Sequence, residues 1–481
     1  MFFFSIGTLM FPETANTWLH GTKNAAIASF DWLFALTPLL TFLFCVGLAA
    51  SPMGHIRIGG AEATKEFSDV SWMAMLFAAG IGVGYLFYGA AEPLTFYLGN
   101  GGTPFAVPPA SPQSHDLAVA TTVFHWGLSP WAIYGVIGLS LAYFAHNKRL
   151  PLSIRSIFYP LLGDRVWGWP GHVIDLTAVV SAIFGLATSI GLGATQATSG
   201  IAYLTGVEPT IALSSFYIAI VTLLASLSVV RGLDGGIKVL SNVNMVLAIL
   251  LLFFVVVAGP TVLIAGAVFE NLFHYATNAP ALSLWFGRGD TQWYQDWSIF
   301  YWAWWVAWAP FVGMFIARIS KGRTVREYLI GVLIIPTAIG LLWFSTFGET
   351  AIYQVQNGIG GLGDEVGGVS LILFQLLDAL PLFGLTSAIT LLLLIIFIVT
   401  SADSGALVIG HMTADHHVLP SVGQRIVWAV LFGVVSIALL YGGGTDALSS
   451  LQAGTIATAV PFTFMVLASC VSLFLAMREE A

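Results

Sequence analysis

Charged residues are scarce in this sequence. Lys, Arg, Asp and Glu make up 8% of the 481 residues, whereas hydrophobic residues make up 57%. A soluble domain carries roughly 25% charged residues, because its surface has to be hydrated. This shortage excludes a soluble globular protein, so lipid must surround most of the chain.

Cysteine is almost absent: only Cys45 and Cys470 occur, and each lies inside an apolar stretch. They match no spacing of a metal or redox site, so we interpret both as small buried hydrophobic side chains. A nucleophile–base constellation and a phosphate-binding loop are also missing, which argues against an enzyme, and no feature indicates nucleic acid binding. The stretch 411–420 contains His and Asp residues that could ligate a metal, but we interpret it as a solvated cytoplasmic loop.

Long apolar runs fill most of the chain, and each is long enough to cross a bilayer, which takes about 20 residues. They cover residues 27–51, 71–98, 117–145, 174–203, 210–230, 238–266, 296–317, 327–348, 385–410, 426–444 and 453–477. Residues 1–11 are apolar but too short to span, and they lack the basic start and cleavage site of a signal peptide. We interpret them as the end of a helix whose beginning is missing. The predicted fold class is an all-α integral membrane protein.

Basic residues fall on alternate connections between these runs. Of the 16 Lys and Arg residues, all but Lys23 and Arg288 lie on one side. Since cytoplasmic loops carry the excess of Lys and Arg, this asymmetry predicts a cytoplasmic C-terminus.

Glycines interrupt the run at 71–98. The stretch "AAGIGVGYLFYGAAEP" contains Gly80, Gly82, Gly84 and Gly89, and glycine costs about 1 kcal/mol relative to alanine inside a helix. Small residues can serve close helix packing. Their tight spacing in mid-span favours a locally unwound helix whose free carbonyl groups face a cavity. We interpret Glu92, at the outer end of this run, as structural.

Polar residues lie inside the apolar run at 385–410, namely Thr400, Ser401, Asp403 and Ser404. Hydroxyl groups in membrane helices often bond back to their own backbone, which is one reading. An ionisable residue at this depth is rare and is usually paired or functional. Hydroxyl groups together with freed carbonyl groups would form a set of oxygen ligands suited to a small hard cation such as Na⁺.

Five tryptophans lie within the stretch "DWSIFYWAWWVAWAPFVGMF" (296–315). On a helix, Trp304, Trp305 and Trp308 share one face with Trp297, which lies about 16 Å from Trp308 along the axis. An aromatic belt at the membrane surface is shallower than this, so the inner tryptophans reach toward the bilayer centre.

A second aromatic cluster, "HWGLSPWAIY" (125–134), contains Trp126, Trp131 and Tyr134. Two aromatic helices that face each other could form a box. The faces of indole rings attract cations, and quaternary ammonium groups are typical guests of such boxes. Ordinary aromatic packing is the alternative reading.

These stretches resemble one family. The segments 78–97, 125–134, "SNVNMVLA" (241–248), 296–328 and "VTSADSG" (399–405) are similar, in the same order, to the signatures of the betaine/choline/carnitine transporters. The resemblance covers about residues 27–477 and implies twelve helices, the first truncated here. It also implies sodium-coupled uptake of trimethylammonium compatible solutes by alternating access, in a homotrimer in the bacterial cytoplasmic (inner) membrane.

The resemblance also implies a leucine-transporter-like fold. In that fold, residues 1–51 are peripheral helices, and 71–266 and 292–477 are two inverted five-helix repeats. Residues 267–291 would form an external amphipathic connection between the repeats.

The resemblance implies roles for particular residues. The box that holds the substrate would comprise Trp126, Trp131, Tyr134 and Trp305, with Trp304 and Trp308 along the pathway and Gly82 and Gly84 also at the substrate. The main sodium site would use the carbonyl groups of Ala78, Ile81 and Phe397 and the hydroxyl groups of Thr400 and Ser401. Arg318 and Asp403 would pair as a cytoplasmic gate, for which a static salt bridge is the alternative.

Four positions depart from family patterns or narrow the function. Ala182 and Leu186 replace two threonines of members with two sodium sites, which puts a second sodium in doubt, although the nearby residues Ser181, Thr188 and Ser189 could partly substitute. Met245 stands where sodium-independent exchangers carry an arginine, which favours a real cation. Gly84 stands where choline-preferring relatives tend to carry Asp, which favours a zwitterion.

The expected substrate is therefore glycine betaine. Dimethylsulfoniopropionate is the next candidate, and choline, carnitine and ectoine remain alternatives. A sodium-independent exchanger is the rival function, and a channel or sensor is a rival from another class, although broken helices in both repeats favour alternating access.

Overall fold

The computed structural model describes residues 1–80, 82–232, 238–362, 368–414, 420–444 and 447–480. Nearly all of these residues are helical. Within the described ranges the one extended pairing is an isolated antiparallel bridge between Arg57 and Thr324. The predicted fold class, an all-helical membrane protein, is confirmed.

The helices of the first part of the chain are α1 (Phe2–Met10), α2 (Pro12–Ala50), α3 (Asp69–Gly80), α4 (Val83–Tyr88), α5 (Ala91–Leu98), α6 (Pro112–Trp126), α7 (Leu128–His146), α8 (Tyr159–Leu162), α9 (Trp169–Thr205), α10 (Ile211–Gly232) and α11 (Lys238–Ala258). Those of the second part are α12 (Thr261–Leu282), α13 (Thr291–Tyr294), α14 (Phe300–Ile319), α15 (Val325–Gln356), α16 (Ile372–Asp378), α17 (Phe383–Thr413), α18 (Val422–Gly443) and α19 (Ala447–Arg478). A π-helical turn, Gln295–Ile299, joins α13 to α14.

The predicted membrane-spanning runs all coincide with helices. Among the described residues, ten helical segments are long and apolar enough to cross a membrane. A bent pair, Asp69–Ala79 with Val83–Leu98, brings the number to as many as 11, and its two halves are inclined by 62°. Each predicted run therefore has its counterpart, and the protein is a multi-pass membrane protein.

One boundary differs from its prediction. The run predicted at 238–266 ends as a helix at Ala258, because Gly259 and Pro260 follow and proline cannot continue a helix. The next helix, α12, starts at Thr261, inside the range predicted for the first repeat, and covers most of the predicted external connection 267–291. The division into two inverted five-helix repeats stays a prediction.

The tryptophan-rich helix α14 lies at the centre of the molecule. It packs against α7, α9 and α19, and the side chains of Tyr301, Trp302 and Val306 are fully buried. A helix that is apolar on every side is suited to such a position. The centre of the protein is therefore also its most aromatic part.

Candidate functional site

The glycine cluster interrupts a membrane-spanning helix, as predicted. Helix α3 ends at Gly80, and α4 begins at Val83 after Gly82, whose backbone is extended (φ −151°, ψ −170°). The predicted sodium ligand Ile81 lies outside the described residues. A break at mid-span leaves backbone groups without helical partners, which membranes tolerate where the chain faces protein or a cavity.

A second break follows between α4 and α5, at Gly89 and Ala90. Two side chains from other helices bind the carbonyl groups of the turn that ends there. The indole N–H of Trp343 donates to Tyr85 O at 2.9 Å, and the amide of Gln196 donates to Leu86 O at 2.8 Å. Neither partner was predicted from the sequence, because an indole and an amide inside apolar helices carry no local sign of their target.

Gly84 allows two indole rings to lie directly on the broken helix. A Cβ atom at this position would lie 2.2 Å from Cη2 of Trp126 and 3.2 Å from Cη2 of Trp304. Packed interiors do not accommodate an atom at the first of these distances without displacement. Any other residue at position 84 would therefore move Trp126.

The four predicted box residues come together. The ring centroid of Trp305 lies 4.8 Å from Tyr134, 5.6 Å from Trp126 and 6.0 Å from Trp131, and Trp131 lies 5.4 Å from Tyr134. Interplanar angles between 51° and 88° show that the rings do not stack as a parallel pile. Their faces are turned in several directions, as a box around a cation requires.

The two other predicted tryptophans are held by a single carbonyl group. The indole N–H groups of Trp304 and Trp308 donate to Gly185 O on α9, at 3.4 Å and 3.1 Å. Trp304 also stacks on Phe300, with centroids 5.5 Å apart and planes 16° from parallel. These bonds fix the indole planes of both residues against α9.

One cavity of about 570 Å³ joins the aromatic residues to the predicted ion ligands. Such a volume suits a small organic ligand. The predicted site residues that line it are Trp126, Trp131, Tyr134, Trp304, Trp305, Trp308, Gly82, Gly84, Ala78, Phe397, Thr400, Ser401 and Arg318. Every predicted substrate and sodium residue that the structure describes thus lies on this cavity.

The predicted sodium ligands come from a broken helix and a continuous one. Ala78 lies near the end of α3, whereas Phe397, Thr400 and Ser401 lie in α17, which runs unbroken from Phe383 to Thr413. The Thr400 hydroxyl donates to the carbonyl groups of Ile396 and Phe397, at 2.8 Å and 3.2 Å. The structure therefore shows the backbone bonding of Thr400, and its role as an ion ligand stays a prediction, with which these bonds are compatible because a hydroxyl that donates to its own backbone keeps its lone pairs for a cation.

The predicted pairing of Arg318 with Asp403 is wrong for this structure. Asp403 is fully buried, and its carboxylate accepts hydrogen bonds from the guanidinium of Arg425 and the hydroxyl of Ser228, both at 2.7 Å. Arg425 lies in α18, which packs on α17. A buried carboxylate requires a close partner, and Arg425 is the nearer one. Arg318 lines the cavity and has no acidic partner among the described residues.

The positions that replace a second sodium site are apolar and buried. The side chains of Ala182 and Leu186 carry no oxygen atom, and neighbouring Thr188 hydrogen-bonds Thr455 Oγ1 at 2.7 Å and Leu451 O at 3.0 Å. Of the polar neighbours, Ser189 is the one on the cavity. Met245 also lines the cavity.

Glu92 contacts the aromatic site, which its predicted structural role did not anticipate. It is fully buried and accepts hydrogen bonds from Trp126 Nε1 at 2.9 Å and from the Tyr301 hydroxyl, and it pairs with His125 Nδ1 at 2.7 Å. The available signal was an ionisable residue inside a membrane-spanning run.

Known proteins are similar to this sequence over nearly its whole length. The family described as BCCT, betaine/carnitine/choline family transporter, matches residues 1–481. A protein named glycine betaine transporter 1 of Vibrio parahaemolyticus is 52% identical over 97% of this chain and 90% of that protein. A glycine betaine/proline/choline/ectoine transporter of the same organism is 49% identical over 98% of this chain and 84% of that protein. A glycine betaine transporter of Acinetobacter baylyi is 40% identical, over 98% and 71% respectively.

Proposed function

The chain belongs to the betaine/carnitine/choline family of secondary transporters, and on that premise we propose that it imports glycine betaine together with Na⁺ by alternating access. The observation that carries the proposal is the single cavity on which the aromatic box and the oxygen ligands both lie. A substrate and an ion bound in one cavity can each favour the same conformation of the surrounding helices.

The chemistry of the box favours a quaternary ammonium group. Trp126, Trp131, Tyr134 and Trp305 line the same cavity and contact one another, and ring faces attract a cation that has no N–H to donate. Gly84 places no hydrogen-bonding side chain beside Trp126, so the site has no group there for the hydroxyl of choline. Glycine betaine is also the compound that the names of the three relatives have in common.

The ion ligands favour a small hard cation. The hydroxyl groups of Thr400 and Ser401 and the carbonyl group of Ala78 present oxygen atoms near the cavity, and oxygen is the ligand atom that such cations prefer. These ligands lie on two helices, with Ala78 near the broken end of α3 and Thr400 and Ser401 on α17. A cation shared by these two helices would stabilise one arrangement of the broken helix against the continuous one.

We further propose that the protein works as a homotrimer in the bacterial cytoplasmic membrane, with its C-terminus in the cytoplasm. The orientation rests on the placement of nearly all Lys and Arg residues on one side of the predicted spans. The transport core would consist of the five-helix repeats 71–266 and 292–477.

Uptake of labelled glycine betaine into proteoliposomes tests this function. An inward Na⁺ gradient should drive accumulation, and replacement of Na⁺ by K⁺ should abolish it. Uptake that does not depend on Na⁺ but increases with substrate inside the liposomes would show exchange and would overturn the proposed symport. Absence of glycine betaine uptake, with accumulation of dimethylsulfoniopropionate, choline or ectoine instead, would overturn the substrate assignment.

A further inference from the structure

A buried carboxylate lies directly behind the aromatic box. Glu92, near the start of α5, is fully buried, and both of its oxygen atoms are occupied. Oε2 accepts from Trp126 Nε1 and from the Tyr301 hydroxyl, and Oε1 lies 2.7 Å from His125 Nδ1. A carboxylate taken out of water is costly unless several donors satisfy it, and these three side chains do so.

The hydrogen bonds connect three parts of the molecule. Trp126 and His125 end helix α6, and Tyr301 belongs to α14. His125 Nε2 lies 2.8 Å from Ser298 Oγ in the π-helical turn before α14. The two ring nitrogens of His125 therefore link Glu92 to Ser298, and in a neutral imidazole one of them donates and the other accepts.

The carboxylate fixes the plane of a box residue. Trp126 has one polar atom, Nε1, and its single hydrogen bond ends on Glu92. The opposite edge of the same indole lies against Gly84. Tyr301, the second aromatic donor, meets Trp126 edge to face at 5.4 Å. Trp126 is thus held between a glycine that makes room for it and a carboxylate that orients it.

We propose that Glu92 is a positioning residue of the substrate site, which sets the orientation of Trp126 and ties the box to the tryptophan-rich helix through Tyr301 and His125. The inference rests on the proposed function, since it assigns a role in recognising the same quaternary ammonium group. Glu92 does not line the cavity, whereas Trp126 does, so Glu92 would act on the substrate through Trp126.

A second buried carboxylate in the chain provides a matched control. Glu349 on α15 is also buried, pairs with His115 Nε2 at 2.9 Å and accepts from Asn271 Nδ2 at 2.9 Å. Neither of these partners lines the cavity. Glu92→Gln and Glu349→Gln therefore make the same chemical change in similar surroundings, and only the first touches the box.

The test compares glycine betaine uptake by the wild-type protein, E92Q and E349Q in proteoliposomes. Gln removes the negative charge, so the bonds from Trp126 and Tyr301 lose their charge assistance even where His125 changes tautomer to accept from the new amide group. The expected result for E92Q is a half-saturating substrate concentration raised about tenfold, which is the effect of losing one charge-assisted bond. Its maximal rate should stay within about twofold. E349Q should leave the half-saturating concentration unchanged.

A milder variant covers the case in which E92Q does not fold. Tyr301→Phe removes one donor and keeps the ring, the Glu92 charge and the bond to Trp126. We expect it to raise the half-saturating concentration about two- to threefold, less than E92Q, because the direct bond from Trp126 to Glu92 remains. Unchanged half-saturating concentrations in E92Q and Y301F, or an equal rise in E349Q, would overturn the positioning role. Failure of the wild-type protein to take up glycine betaine would instead overturn the proposed function.

Discussion

The two helices that carry the predicted ion ligands differ in one respect that the sequence makes visible. The glycine-rich helix is broken, since α3 ends at Gly80 and α4 starts at Val83. The hydroxyl-rich helix α17 passes through Thr400, Ser401 and Asp403 without interruption. Glycine weakens a helix because it loses more conformational freedom there than other residues do. A hydroxyl group can instead hydrogen-bond to the backbone of its own helix, which stays continuous. Polar residues in a span therefore predict ligands, but only the glycines predict unwinding.

The largest expected effect is a loss of stability when the buried Asp403 carboxylate of α17 loses its charged partner. Arg425→Gln would leave the buried Asp403 carboxylate with Ser228 as its remaining partner, at a cost of about 3–5 kcal/mol. Thermal unfolding of the purified protein in detergent should occur at a clearly lower temperature. Arg318→Gln is the control and should leave this temperature nearly unchanged. If the two variants behaved in the opposite way, Arg318 would be the structural partner of Asp403.

On the broken helix, Gly84→Ala should disturb substrate binding. The new Cβ would lie 2.2 Å from the Trp126 ring, and such overpacking costs about 1–3 kcal/mol. Glycine betaine affinity, measured by quenching of tryptophan fluorescence, should fall about 5- to 150-fold. Gly47→Ala, in α2 with open space around it, is the control. Equal affinities for G84A and the wild-type protein would show that Trp126 can move without loss.

Thr400→Val tests whether the continuous helix α17 contributes a ligand to the predicted Na⁺ site. The substitution keeps the size of the side chain and removes its oxygen atom, so the apparent Na⁺ affinity in uptake should fall about tenfold, or about 1.4 kcal/mol. Thr390→Val removes the same kind of hydroxyl, which donates to Thr386 O at 2.9 Å on the same helix away from the cavity. A similar loss of Na⁺ affinity in both variants would mean that Thr400 serves the helix and not the ion.

The smallest effect is expected where α3 begins. Lys65 donates to Asp69 and Glu327, which raises its pKa. Its contribution to stability is present below its unfolded-state pKa and is lost as pH rises through the raised value. Exposed pairs of this kind contribute about 0–1 kcal/mol, so Lys65→Met should shift thermal unfolding at neutral pH only slightly. A large shift would show that the ion pairs of Lys65 at the start of α3 stabilise the protein more than exposed pairs usually do.

Local patterns in the sequence predicted most of the fold. Each apolar run is helical, and the break between Gly80 and Val83 followed from the glycine spacing. The meeting of Trp126 with Trp305 was implied by the family resemblance, because the aromatic clusters alone left ordinary packing open. The end of α11 at Ala258 was also within reach, since Gly259 and Pro260 mark it.

What escaped prediction depends on contacts distant in sequence. The partner of Asp403 is 22 residues away and on another helix, and that of Glu92 in the box is 34 residues away. Charge alone cannot choose between Arg318 and Arg425, because both lie on the same predicted side of the membrane. The hydrogen bonds from Trp343 and Gln196 to the broken helix likewise depend on tertiary packing, which the local sequence pattern does not reveal.

One cavity links the aromatic box to the predicted oxygen ligands on α3 and α17. The most direct test is the affinity of the purified protein for glycine betaine, measured by tryptophan fluorescence in Na⁺ and again with K⁺ in its place. Linked sites should bind glycine betaine about 5- to 150-fold more tightly in Na⁺, the usual range of coupling between sites. Equal affinities in the two salts would contradict the claim.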